Sequence, residues 1–152
     1  MQTRRQTLKQ SAVVAGLLAG TGLFPQYAQA FNKAAFEAKN LNDALKALGA
    51  TGAPAESSAV TLTAPDIAEN GAVVPLAVAS TLPNVKQLVL LVEKNPNALV
   101  AVFNVTPEVE PSFATRSKMG ESSDVYAVAV TADGKAHYAK KEVKVTLGGC
   151  GG

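Results

Sequence analysis

Along residues 31–48, apolar side chains recur at Ala34, Ala38, Leu41, Leu45 and Leu48. This 4-3-4-3 spacing stacks them on one side of a helix and leaves Lys33, Glu37, Asp43 and Lys46 elsewhere on its surface. The pattern predicts one amphipathic helix over 31–48, with Gly49 as its stop. Residues 50–58 carry Gly52, Pro54 and two serines and read as a linker. From residue 59 the pattern shortens to β-branched, valine-rich runs, which predict strands over 59–64, 72–79, 85–93, 99–105, 111–116, 125–131 and 136–147. Between them lie Glu69-Asn70-Gly71, Leu82-Pro83-Asn84, Asn95-Pro96-Asn97 and Thr106-Pro107, all turn chemistry. Asp133-Gly134 is the strongest of these signals and predicts a two-residue hairpin turn. Val143, Val145 and Leu147 alternate with Lys144 and Thr146, so the last strand is expected to be half buried.

Seven short strands without a long helix among them predict a mainly β chain: an immunoglobulin-like antiparallel β-sandwich preceded by an N-terminal helix. The inter-sheet disulfide and tryptophan of true immunoglobulin domains are absent, because the chain has no Trp and one Cys. The expectation rests on pattern alone, and a small open barrel is its rival.

The first thirty residues are expected to be an address. Arg4 and Arg5 precede a fourteen-residue uncharged apolar run over 11–24, and Ala28-Gln29-Ala30 offers a small-x-small cleavage site. This is the layout of a signal peptide, and the arginine pair is that of the twin-arginine type. Thr7 stands where such signals usually carry Phe, so an ordinary secretory signal is the alternative. The run is shorter than the roughly 20 residues of a membrane-spanning helix. Cleavage after Ala30 would leave 122 residues with 11 basic and 12 acidic side chains, turning a formal +2 into −1. That removes the basic surplus expected of a partner of nucleic acid or of an anionic membrane. The organisation expected is a signal over 1–30, a helix-plus-sandwich domain over 31–147 and a flexible arm over 148–152.

Catalytic equipment is scarce. His137 is the one histidine, beside Tyr138 in an expected strand, and reads as an ordinary edge residue. Paired cysteines, zinc-protease spacing and phosphate-cradling glycine loops are all missing, so neither metal nor cofactor is expected. Lys94, Arg116 and Lys118 are candidate oxyanion contacts, but nothing in the sequence brings them together.

What stands out is the ending, Gly148-Gly149-Cys150-Gly151-Gly152. It holds four of the nine glycines beyond residue 30 and the chain's only thiol. Glycine has no side chain to pack and loses most entropy on ordering, so a mobile segment is expected. In an oxidising envelope a lone cysteine points to an intermolecular bond or a free reactive thiol. The nearest fixed charge is the terminal carboxylate, which disfavours the thiolate, so its pKa is expected at or above the reference of about 8.5. Such a thiol depends on a partner's active site for activation. Five extended residues span at most roughly 16–18 Å, enough to enter a narrow channel while the body stays outside.

This arm resembles that of the SoxY family of bacterial sulfur-oxidation carriers. The resemblance extends to residues 64–75 (APDIAENGAVVP), Leu82-Pro83-Asn84-Val85, Val92-Glu93-Lys94-Asn95-Pro96-Asn97 and Thr115-Arg116-Ser117-Lys118-Met119. It implies a non-enzymatic carrier in the periplasm that holds thiosulfate-derived intermediates on Cys150, with Gly148, Gly149, Gly151 and Gly152 as the arm. It further implies a heterodimer with a SoxZ-like β-sandwich subunit. The visiting enzymes it implies are a haem-containing thiosulfate-joining enzyme, a sulfonate hydrolase and a sulfane dehydrogenase. Two other uses fit the same residues: an assembly module joined through an intermolecular disulfide, and a ubiquitin-like carrier acting through its terminal carboxylate. The second gives Cys150 no role and needs ATP, which an exported chain lacks.

Overall fold

The computed structural model describes residues 32–146. The expected signal and the arm, with Cys150, lie outside that range. Two short helices open the fold, α1 (Lys33–Glu37) and α2 (Leu41–Ala47), where one continuous helix was expected. The break is local chemistry. Asn40 takes an extended conformation (φ −148°, ψ 167°), and its side-chain oxygen accepts the Asp43 N–H at 2.9 Å. That is an N-cap, which starts a new helix and resets its phase. Ala35, Ala38, Ala44 and Leu45 are consequently the buried positions, and Ala34 is exposed. At the far end Gly49 adopts φ +84°, with Ala50 N–H on the Leu45 carbonyl and Gly49 N–H on that of Lys46. This is the doubly bonded left-handed stop for which glycine is suited.

Nine strands follow among the described residues. They are β1 (Ala55–Glu56), β2 (Val60–Thr63), β3 (Ile67–Ala68), β4 (Val74–Ser80), β5 (Val85–Val92), β6 (Leu99–Asn104), β7 (Ser112–Ser117), β8 (Ser123–Thr131) and β9 (Ala136–Val145). Each of the seven expected strands is present. β1 and β3 are additional, and β1 lies within the stretch expected to be a linker. The larger sheet runs β1-β9-β8-β5-β6, with β3 also on β9; the smaller runs β2-β4-β7. β1 and β3 pair with β9 in parallel, whereas the long strands pair antiparallel. The β8–β9 hairpin closes through three residues rather than two. Gly134 N–H bonds to the Thr131 carbonyl, Thr131 N–H bonds to the Lys135 carbonyl, and Gly134 sits at φ +83°.

Two apolar layers share the larger sheet. Leu76 and Val78 of the smaller sheet meet Leu88, Leu90, Val125, Ala127 and Val143 between the sheets. On the opposite face Val89, Leu91, Val128 and Val130 receive Ala35, Ala44 and Leu45 from the helices. β5 is therefore buried without alternation from Leu88 to Val92, as expected of a strand covered on both sides. The helix layer is tied down by Lys39, whose Nζ donates to the Pro96 carbonyl and to Asn97 Oδ1 at 2.9 Å. The turn 95–97 thus does more than reverse the chain.

The base of the C-terminal arm as candidate functional site

β9 delivers the chain to the arm, and its last residues are held from several directions. Val143 is fully buried. Lys144 N–H donates to the Asp66 carbonyl at 3.0 Å, and Thr146 N–H to the Ala68 carbonyl at 3.1 Å. These two bonds flank β3, whose Ile67 and Ala68 lie opposite Lys144 and Val145. From the other side, Val145 N–H donates to Ser122 Oγ at 2.9 Å, while on the β3 side the Thr146 hydroxyl donates to the Glu69 carbonyl at 3.1 Å. The backbone is thereby fixed up to Thr146, two residues before the first glycine of the arm. β3 and Ser122 carry this anchoring, and sequence reasoning missed both: two residues make no periodicity, and Ser122 acts on a residue twenty-three positions away.

Charge around the base is largely paired. Lys141 Nζ lies 2.9 Å from Asp66 and donates to the Ala64 carbonyl at 2.7 Å. Lys140 lies 3.4 Å from Asp124, which by hydrogen bond and charge raises the Lys140 pKa. Lys94, one of the candidate oxyanion contacts, meets Glu121 at 3.7 Å. Asn95 Nδ2 donates to the Lys118 carbonyl at 2.8 Å, so Lys94 and Lys118 belong to adjoining loops. Arg116 has no ion pair among the described residues and sits on the outer face of the smaller sheet.

The one histidine of the chain is far from this base. His137 pairs with β1 at the start of β9, nine residues before Thr146, which at about 3.3 Å per residue is roughly 30 Å away. The hairpin beside His137 holds Asp133, whose pKa is lowered to about 2 by the Thr131 hydroxyl and the Lys135 N–H. Among the described residues no group of three or more His, Cys, Asp or Glu is placed to hold a metal. Cys150, Gly148, Gly149, Gly151 and Gly152 lie beyond the described residues. The described residues end at Thr146, two positions before Gly148.

The family model described as "Sulfur oxidation protein SoxY" matches residues 45–150, from α2 through the cysteine. The solved structure of the sulfur carrier protein SoxY from Chlorobium limicola f thiosulfatophilum is similar at 35% identity and a TM-score of 0.64, covering 71% of this chain and 97% of that one. A superoxide reductase (neelaredoxin) from Ignicoccus hospitalis has a TM-score of 0.50 at 20% identity, covering 57% of this chain and 78% of its own, a likeness of fold alone. Among curated proteins nothing matches. With the family model spanning most of the chain and the carrier structure covered almost end to end, this chain belongs to the SoxY family of sulfur oxidation proteins.

Proposed function

We propose that this protein is a periplasmic carrier that holds thiosulfate-derived sulfur on Cys150 and presents it to partner enzymes, with no turnover of its own. The observation that carries this reading is a chain pinned up to Thr146, with Leu147 alone in sequence between it and Gly-Gly-Cys-Gly-Gly. A fixed base makes the reach of the thiol a defined length. From Thr146 to Cys150, four extended residues span at most roughly 14 Å. The lone histidine, roughly 30 Å from the base, is out of that reach, so activation of the thiol falls to the visitors.

The cycle balances as follows. A haem-containing partner removes two electrons as the Cys150 thiol and thiosulfate form a sulfur–sulfur bond, releasing one proton and leaving a cysteine S-thiosulfonate. A hydrolase then adds water to the terminal sulfonate, breaking the bond between the two thiosulfate-derived sulfurs. Sulfate and a proton leave, and a persulfide remains on Cys150. A sulfane dehydrogenase takes six electrons from that remaining sulfur while three waters supply its oxygens, leaving a cysteine S-sulfonate and seven protons. Hydrolysis of its sulfur–sulfur bond by a further water releases sulfate and a proton and restores the Cys150 thiol. A SoxZ-like subunit accompanies the carrier as its heterodimer partner, and a twin-arginine type signal over 1–30 delivers it to the periplasm.

Incubation with thiosulfate and the haem-containing enzyme is expected to add one thiosulfate to the intact mass, located at Cys150 by peptide mapping. Cys150→Ser is expected to take none. An unmodified wild type, or an equal adduct on Cys150→Ser, would defeat the proposal. A wild type recovered only as a stable disulfide dimer would favour the assembly module.

A further inference from the structure

The outer face of the larger sheet is covered by α1 and α2, whereas among the described residues nothing covers the outer face of the smaller one. A solvent-facing antiparallel sheet normally alternates apolar inward with polar outward positions. Here the register places Thr63, Ala77 and Ala114 in one outward row and Pro75 beside Arg116 in the next. The row beyond is Thr61, Ala79 and Ser112. The face is made of methyls, hydroxyls and one guanidinium, and it contains no acidic residue. Depletion of lysine and acidic side chains with retention of arginine is the composition of an interface core. At one end it hollows into a groove of about 470 Å³ lined by Thr63, Pro65, Pro75, Ala77, Ala114 and Arg116.

We propose that this groove is the docking site through which the sulfonate hydrolase holds the carrier, by a surface that presents a carboxylate beside an apolar side chain. The carboxylate would pair with the Arg116 fork, and the apolar side chain would occupy the hollow over Ala77 and Ala114. Charge decides the occupant: a second copy laid face to face brings another Arg116 and no acid. Position fits the use. Ala64 and Asp66 flank Pro65 on the groove wall, and their carbonyls accept bonds from Lys141 and from Lys144 at the base of the arm. An enzyme seated in the groove therefore stands beside the origin of the tether. The inference rests on the carrier reading.

The test uses the full chain loaded by tetrathionate, whose attack by the Cys150 thiol forms the S-thiosulfonate and releases thiosulfate and a proton. Sulfate release by the sulfonate hydrolase is then followed against carrier concentration. Arg116→Glu and Ala114→Tyr are each expected to raise KM for the carrier roughly tenfold with kcat unchanged, and Arg116→Lys to fall between. Lys86→Glu, beside a different groove, is expected to match the wild type. Tetrathionate loading rates are expected to be equal throughout, showing that the arm is untouched. Tyr is favoured in strands, so Ala114→Tyr tests the hollow without threatening the fold. KM values for Arg116→Glu and Ala114→Tyr within about twofold of the wild type would overturn the docking site and leave the carrier reading intact. A loaded wild type that the hydrolase ignores would remove both. Self-association in sedimentation velocity that Arg116→Glu abolishes would replace the visiting enzyme with a second copy.

Discussion

Asp133 shows what one hairpin asks of a single carboxylate. The Thr131 hydroxyl donates to it at 2.5 Å, the Lys135 N–H at 3.2 Å, and Lys135 Nζ lies 3.3 Å away. All three favour the ionised form, which places its pKa at about 2 instead of 3.8. Because the folded value lies below the unfolded one, the stabilising contribution is present above pH 3.8 and fades as the pH falls toward 2. The carboxyl carbon of Asp133 is expected to titrate by NMR with a midpoint near 2 in the wild type and nearer 3.8 in Thr131→Val. A wild-type midpoint in the ordinary range would contradict the assigned bonds. Other residues divide by the range of what they touch. Asn40 with Asp43 three positions on is a helix start visible in sequence, obscured because the apolar spacing runs through it. Ser122 offers no such signal, since its partner Val145 is neighbouring only after folding.

At the scale of elements, burial on two faces explains both what was legible and what it costs to disturb. Strands 85–92 and 123–131 are valine- and leucine-rich runs, recognisable as strands because any covering preserves their β-branched character. That helices lie behind them is not recorded in either run. β1 and β3 were illegible for another reason: two residues each, they exist because the outer edge of β9 offers unpaired backbone groups. The continuous burial of β5 has a measurable consequence. Leu90 is fully buried between the sheets with Leu76, Val125 and Ala127 in the same cluster. Leu90→Ala is expected to destabilise the fold by about 2–5 kcal/mol, read as a lower urea midpoint with an unchanged slope. A loss under about 1 kcal/mol, the scale of a surface substitution, would mean that the layer is not packed as described.

For the whole molecule, the proposed carrier role divides the labour between a body that holds one end of a tether and a tip that carries the sulfur. The one thiol and its four glycines were legible in sequence as candidates, and they lie outside the described residues. The body's contribution was not legible, because it consists of long-range bonds from Ser122, Asp66, Ala68 and Glu69 to residues 144–146. Their joint effect is that β9 cannot be peeled from the sheet up to Thr146 without breaking those bonds. Removing Gly148 and Gly149 then shortens the extended path to Cys150 by two residues, about 7 Å out of roughly 14 Å. The shortened chain is expected to keep its melting temperature and to react with iodoacetamide at the wild-type rate, since neither depends on reach. Sulfate release by the hydrolase from the tetrathionate-loaded variant is expected to fall by two orders of magnitude or more, the scale of an about 1 Å misplacement of reacting groups. Restoring length with Ala-Ala at those positions is expected to recover part of the rate, because length returns while the slender backbone does not. Full activity in the shortened chain would show that the base yields, and that the bonds holding residues 144–146 do not set the reach of the thiol.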